Sequence, residues 1–309
     1  MKIMNKDALF RLGKKIVNRS SKEIVKLSRK KPLGSEIGSV GASGHPTKVA
    51  DTLSEKIAIA EISAFSAKSP DHRIVLISEE SGVIEFGDPH SKVGCFMILD
   101  PLDGSNNLRP WKTPAPFVTI SLALGRLSYL KENDNLQSIE VGIVKDIFND
   151  RLYYAKKDNG GFVEGFGKII SSPETDITKS IVSIDLDLES EKYKNMYSGL
   201  RNLLEKRRYR RRSGSSVLDF MKVACGEYDS FVSLGGRMKL YDVAAARLIA
   251  EEAGATFEIV GDKSSFCIVK KLIETKNGKL LKDEAFNVMI SGNKTLHEKI
   301  KDLCKPAIY

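Results

Sequence analysis

The apolar run Cys95–Leu99 ends in two carboxylates three residues apart, within Asp100-Pro101-Leu102-Asp103-Gly104-Ser105. A short continuous apolar stretch reads as a buried strand. The chain must therefore build a sheet interior that releases Asp100 and Asp103 at a strand end, where a turn aims both at one point. Carboxylate oxygens are hard ligands that suit Mg²⁺ or Mn²⁺ rather than zinc. Gly104-Ser105 can offer backbone N–H groups to a phosphate at the start of a helix. Asp, Pro and Gly are also common turn residues, so the segment by itself fits a plain turn as well.

Two further acidic sites weigh against the plain turn. Arg73–Ile77 is a β-branched run that predicts another strand, and Ser78-Glu79-Glu80-Ser81 follows it. Read alone, that tetrapeptide is a polar surface loop. Downstream, Val243, Ala246, Ile249 and Ala250 recur at helical spacing, and Gly254 supplies a stop. Asp242 then stands where an N-cap is expected. Capping alone would explain it, although a capping Asp can still turn its free oxygen to a metal.

Taken together, Glu79-Glu80, Asp100 to Ser105 and Asp242 with its Ala-rich helix resemble the inositol monophosphatase and fructose-1,6-bisphosphatase superfamily. The likeness runs roughly from Thr47 to Gly254. Gly44 to Asp51 looks like the family's loop-to-helix segment near the metals, and Phe117 to Leu124 like its strand after the phosphate loop. Gly160-Gly161-Phe162 looks like its glycine turn. The resemblance implies that Glu79, Asp100 and the Leu102 carbonyl hold one Mg²⁺, and that Asp100, Asp103 and Asp242 hold a second. Asp51 and Glu80 would lie close by, as a third metal site or as supporting groups. Gly104 and Ser105 would bind phosphate through backbone N–H groups. The Ser105 hydroxyl, with Glu79, would orient the attacking water.

The chemistry asks for this composition. Phosphate-ester hydrolysis is extremely slow without a catalyst, and two cations can activate water, clamp the phosphoryl oxygens and stabilise the leaving alkoxide. Asp51, Glu79, Asp100, Asp103 and Asp242 around one pocket would repel one another until a metal binds. His45, His72, His90 and His297 show no ligand spacing; only His45, in a loop expected over the site, stands apart.

The 309 residues are 41% hydrophobic and 29% charged, enough for a sizeable core. No apolar run approaches a membrane span and no signal peptide is visible. Met1 to Lys31 has a basic amphipathic helix pattern that fits a transit or membrane-surface segment; the resemblance implies instead a helix packed on the fold. Cys95, Cys225, Cys267 and Cys304 lack metal or CxxC spacing, which predicts reduced thiols in a cytoplasmic protein. The net charge is +9, concentrated in Lys206-Arg207-Arg208-Tyr209-Arg210-Arg211-Arg212. No nucleic-acid motif surrounds this run, so it reads as a solvated face, some of whose members turn to the pocket if it forms an alternating strand.

The pattern predicts helices at Asp7–Ser28 and Thr47–Phe65, joined by a mobile Gly-rich loop or lid, Leu33–Gly44. Strands fill Arg73–Val163. The remainder alternates: strand Ile181–Ile184, helix Lys192–Leu204, helix Val217–Cys225, strand Tyr228–Leu234, helix Asp242–Ala253, strands Thr256–Val260 and Phe286–Ser291, and helix Lys294–Leu303. The resemblance implies an α+β and α/β chain folded as a layered αβαβα sandwich of the sugar-phosphatase type. It would be a single phosphatase domain over 1–309, with an N-terminal α+β half at 1–170 that carries the metals and a C-terminal α/β half at 171–309. It also implies a homodimer.

Substrate choice rests on fewer residues. Inositol monophosphatases carry a Glu seven residues before the Asp that maps to Asp242, and the count lands here on Gly235. A basic set, Arg210, Arg212, Arg237 and Lys239, beside the small residues Ser213, Gly214 and Ser215, would favour a second phosphate. The expectation is fructose-1,6-bisphosphatase activity with inositol-1-phosphatase activity, as in archaeal-type members. The alternatives are a phosphatase of 3′-phosphoadenosine 5′-phosphate or NADP(H), and a non-catalytic regulatory or nucleic-acid-binding protein on the same fold.

Overall fold

The computed structural model describes residues 5–42, 44–108, 117–130, 136–186, 200–260, 268–276 and 285–308. Two helices come first, α1 (Lys6–Ser28) and α2 (Val49–Ser66), with strands β1 (Glu36–Val40) and β2 (Pro46–Lys48) between them. Then come β3 (Arg73–Ser78), β4 (Gly82–Gly87), β5 (Gly94–Asp103), β6 (Thr119–Arg126), β7 (Val141–Asp146), β8 (Arg151–Lys156), β9 (Gly161–Val163) and β10 (Gly167–Lys168). These eight form one sheet in the order β10-β9-β8-β7-β6-β5-β3-β4. The second sheet contains β11 (Ile181–Leu186), β12 (Tyr209–Arg211), β13 (Ser230–Met238), β14 (Thr256–Val260) and β15 (Phe286–Ser291), in the order β12-β11-β13-β15-β14. Its helices are α3 (Ser216–Ala224), α4 (Leu240–Glu252), α5 (Ile268–Thr275) and α6 (Lys294–Ile308).

The alternation of side chains along the strands builds the layers. On β3 and β5, Ile74, Leu76, Cys95, Met97 and Leu99 face one core with Leu9, Ile16 and Ile62 of α1 and α2. The intervening Val75, Ile77, Phe96 and Ile98 face a second core with Phe220 of α3 and Ala246 and Ile249 of α4. A third core lies on the far side of the five-stranded sheet, where Val182, Val232 and Met289 meet Leu296 and Ile300 of α6. The order is α, β, α, β, α, a five-layered sandwich. Burying one such aliphatic side chain contributes about 1.5–3 kcal/mol. The contact of α1 with the sheet is close: a Cβ on Gly13 would come 2.7 Å from Ile143 Cδ1.

Some expectations need correction. The segment Leu33–Gly44 is no open loop: β1 pairs antiparallel with β2, Glu36 opposite Lys48 and Val40 opposite Pro46. Glycine spacing suggested mobility because the ladder partner lies beyond it in the chain. The last described strand before α4 runs to Met238, four residues past the expected end. Helix α5 was not expected as an element, and the basic run weighed as a solvated face or an alternating strand supplies β12. Of the predicted helix Lys192–Leu204, residues 192–199 lie outside the described residues, as does Cys267, and 200–206 are helical.

Candidate metal and phosphate site

Residues three apart on a regular strand point to opposite faces, so Asp100 and Asp103 could not meet on an unbroken β5. A bulge restores the parity. Asp100 lies opposite Ser121 and Asp103 opposite Thr119 on β6, so Pro101 and Leu102 face the single residue Ile120. Pro101 sits within the bulge, where its missing N–H breaks no ladder bond. The Leu102 N–H donates to Asp100 Oδ1 at 2.8 Å and fixes the turn. Asp103 Oδ2 accepts from the Ser215 hydroxyl and from the Val217 N–H at 3.0 Å, which ties β5 to the start of α3.

Asp242 arrives from α4. It is the third residue of that helix, not its N-cap; the cap is Lys239, whose N–H donates to Asp242 Oδ2 at 2.7 Å. The helix starts two residues earlier than its apolar period suggested, so the carboxylate reaches back as in a capping box. Ligand oxygens of Asp100, Asp103 and Asp242 all lie within 4.8 Å of one another. This donor set is all oxygen and anionic, and it fits a hard divalent cation.

Burial and mutual repulsion dominate the electrostatics. Desolvation, then the charges of Glu79, Asp103 and Asp242, hold the Asp100 carboxyl well above the usual range. Asp242 is raised well above it by burial, then by Asp103 and Glu79. Burial pushes Asp103 to about 6 against the lowering effect of the Ser215 and Val217 donors. Asp51 rises to about 7, chiefly by burial and then by Glu80 and Glu79. Glu80 also rises to about 7, chiefly by burial, against the Thr47 hydroxyl that donates to it. A cation among these groups relieves both penalties.

Gly104 follows the bulge with φ +80, and a Cβ there would run into the Phe117 carbonyl oxygen. The expected helix after it is one 3₁₀ turn, Ser105–Asn107. Lys48 Nζ reaches this turn from the N-cap of α2, 2.9 Å from Asn106 Oδ1 and 3.4 Å from Ser105 Oγ. Asn107 Nδ2 donates to the carbonyls of Phe117 at 2.7 Å and Ser213 at 3.1 Å. The turn is thereby fastened to Ser213-Gly214-Ser215, where Ser215 caps α3.

These groups surround a cavity of about 420 Å³. Glu79, Asp100, Leu102, Asp103 and Asp242 line it, as do Gly104 and Ser105. Its other wall is formed where the mutually parallel strands β12, β11 and β13 end, at Arg212, Asp185 and Arg237, with Lys239 beyond and Ser213, Gly214 and Ser215 beside them. Ligand sites of open α/β sheets gather at such strand ends. Arg212 Nη2 lies 2.7 Å from Asp185 Oδ1.

Three predicted residues are not among the cavity's lining. Arg210 points to solvent on the exposed edge strand β12. Asp51 is buried behind the wall, its Oδ2 accepting from the Lys48 N–H at 2.6 Å. Glu80 lies under the β1–β2 hairpin, held by Thr47 and, through its carbonyl, by the Ala42 N–H at 2.8 Å. His45 reaches the rim, Nδ1 3.9 Å from Glu79 Oε1.

Sequence reasoning missed Lys48, Asn106, Asn107, Asp185 and Asp219. Lys48 was detectable, since Lys48-x-x-Asp51 repeats as Lys239-x-x-Asp242. Asp219, buried at the cavity wall, accepts from the Ser183 hydroxyl at 2.8 Å. No local pattern distinguishes Asp219 or Asp185 from any other polar position.

The model of the inositol monophosphatase family matches residues 9–300. The fructose-1,6-bisphosphatase/inositol-1-monophosphatase of Methanothermobacter thermautotrophicus is 30% identical over 267 residues, 86% of this chain and 85% of that protein. The bifunctional NADP phosphatase/NAD kinase of Methanococcus maripaludis is 31% identical over 245 residues, 74% of this chain but 39% of that protein. Among solved structures, the extragenic suppressor protein suhB of Bartonella henselae has a TM-score of 0.71 at 21% identity, covering 96% of this chain and 98% of that one. That likeness is one of fold.

Proposed function

We propose that this chain, which belongs to the inositol monophosphatase family and is a metal-dependent phosphatase, hydrolyses fructose 1,6-bisphosphate and, as a second substrate, inositol 1-phosphate. The observation that carries the reading is the pairing of walls in one cavity: Asp100, Asp103 and Asp242 on one side, Arg212 and Arg237 on the other. Carboxylates alone accommodate one cation-bound phosphoryl group. The arginines opposite add a place for a second anion on the same substrate.

Glu79, Asp100 and the Leu102 carbonyl would hold one Mg²⁺, and Asp100, Asp103 and Asp242 another; Mn²⁺ meets the same oxygen set, and Asp51 with Glu80 could support a third ion. Such cations lower the pKa of water and neutralise charge on the phosphoryl and leaving oxygens. The chain's own part is to hold the phosphate at the Gly104-Ser105 turn. Lys48 fixes that turn through Asn106, and Asn107 fastens it to Ser213. The Ser105 hydroxyl and the Glu79 carboxylate orient the water, with Glu79 taking its proton. The leaving alkoxide faces the wall of Arg212, Arg237 and Lys239, where the second phosphate is neutralised. A cytoplasmic homodimer belongs to the same reading and rests on the family resemblance and on the free thiols of Cys95, Cys225 and Cys304 among the described residues.

A second reading, a phosphatase of NADP(H) or 3′-phosphoadenosine 5′-phosphate, is favoured by the likeness to the NADP phosphatase/NAD kinase, and the same arginines would take the nucleotide's other phosphates. The test is Mg²⁺-dependent phosphate release from fructose 1,6-bisphosphate, inositol 1-phosphate, NADP⁺ and 3′-phosphoadenosine 5′-phosphate by the purified protein. A higher kcat/KM for fructose 1,6-bisphosphate upholds the first reading. A higher value for either nucleotide replaces it with the second.

A further inference from the structure

The wall that carries Arg237 has an irregular backbone. Between β13 and β15, Ser233 lies opposite Val288 and Met238 opposite Phe286. Four residues of β13, Leu234 to Arg237, therefore face the single residue Asn287. This excess is taken up at two glycines with left-handed φ, Gly235 at +116 and Gly236 at +64. Asn287 Oδ1 accepts from both of their N–H groups, each at 2.7 Å. An amide oxygen has two lone pairs, and here both have donors. Pairing resumes at Met238, after which Lys239 caps α4 and Asp242 joins the carboxylates.

Asn287 is not itself among the cavity's lining residues. It acts on the residues beyond the bulge: Arg237, exposed at the cavity wall, and Lys239. The bulge also leaves room beside its second glycine. A Cβ on Gly236 would meet nothing within 4 Å. Beyond the bulge, Arg237 stands at the cavity wall.

We propose that Asn287 is a positioning residue for substrate selection. It holds the Gly235–Gly236 bulge in the one conformation that presents Arg237 to the second phosphate of the substrate. The inference rests on the bisphosphate reading above. It adds that the preference is set from a neighbouring strand, by a residue that touches neither phosphate.

The test compares wild-type, Asn287→Ala and Asn287→Asp proteins on fructose 1,6-bisphosphate and inositol 1-phosphate, with melting temperatures recorded alongside. In the Ala variant two N–H groups lose their acceptor. KM for the bisphosphate is expected to rise about tenfold with kcat within about twofold, while both constants for inositol 1-phosphate stay within about twofold. The Asp variant keeps the accepting oxygen and returns the bisphosphate KM to within about threefold of wild type. If Asn287→Ala does not fold, Asn287→Ser, with a shorter acceptor, is expected to show the same selective rise. Equal losses on both substrates, or no change on either, overturn the proposal. Failure of the underlying reading looks different: wild-type protein that releases no phosphate from the bisphosphate.

Discussion

Asp51 and Asp242 occupy the same position in two different helices. Each is the third residue, and each folds back onto the N–H of a lysine at the N-cap, at 2.6 Å to Lys48 and 2.7 Å to Lys239. One oxygen of each carboxylate is committed to the helix end. Asp242 nonetheless places a ligand oxygen within 4.8 Å of those of Asp100 and Asp103, so capping and ligation are compatible in one residue.

Substituting Asp242 by Asn separates these roles. The Asn oxygen still accepts from Lys239, while one charge that raises the pKa of Asp100 is gone. Phosphate release is expected to fall at least about a hundredfold. The metal-free protein is expected to melt no lower than wild type, because a repelling charge has left a buried cluster. Activity assays beside a thermal melt in EDTA decide this. An active Asp242→Asn protein removes Asp242 from the metal set.

The raised carboxyls make the metal-free protein sensitive to pH. Asp51, Glu80 and Asp103 titrate at about 7, 7 and 6 when folded, against 3.8 for an ordinary Asp and 4.5 for an ordinary Glu. Between those values the folded state binds more protons than the unfolded one, so stability falls as pH rises through that window. His297, whose pKa burial lowers, acts in the opposite sense, but equally with and without metal. Melting in EDTA is therefore expected to drop from pH 5.5 to 7.5 relative to melting in saturating Mg²⁺, with the gap between the two curves widening as pH rises. Parallel curves would show that the cation does not meet these carboxyls.

Gly104→Ala tests the turn. Its φ of +80 disfavours any L side chain, and the new Cβ would meet the Phe117 carbonyl. The left-handed backbone alone costs about 1–2 kcal/mol. Denaturant unfolding should show at least that loss, together with a raised KM on every phosphate ester. A stable variant with wild-type KM means that the turn does not hold phosphate.

Two arginines two residues apart are expected to differ. Arg212 lines the cavity, where Asp185 orients it, whereas Arg210 is exposed on the sheet edge. Arg212→Ala should raise the bisphosphate KM about tenfold and Arg210→Ala less than about twofold. Equal effects would reassign the basic run.

Much of the molecule was legible in the chain because it derives from local periodicity. The alternation of Ile74, Val75, Leu76 and Ile77, and of Cys95 to Leu99, determined two faces of a buried strand, and the acidic groups past each strand end came from the same pattern. The repeated Lys-x-x-Asp carries its own capping geometry. Whether the parts form one site depended on contacts between distant residues. Asp100 and Asp103 share a face only because β6 offers Ser121 and Thr119 against them across a bulge. Arg212 rather than Arg210 enters the cavity because β12 ends there beside β11. The Gly235–Gly236 bulge is held by an oxygen of Asn287, 52 residues away in the chain. Spacing along a sequence encodes which side of an element a residue takes, while strand register and bulges are settled by the pairing partner, which only the folded chain supplies.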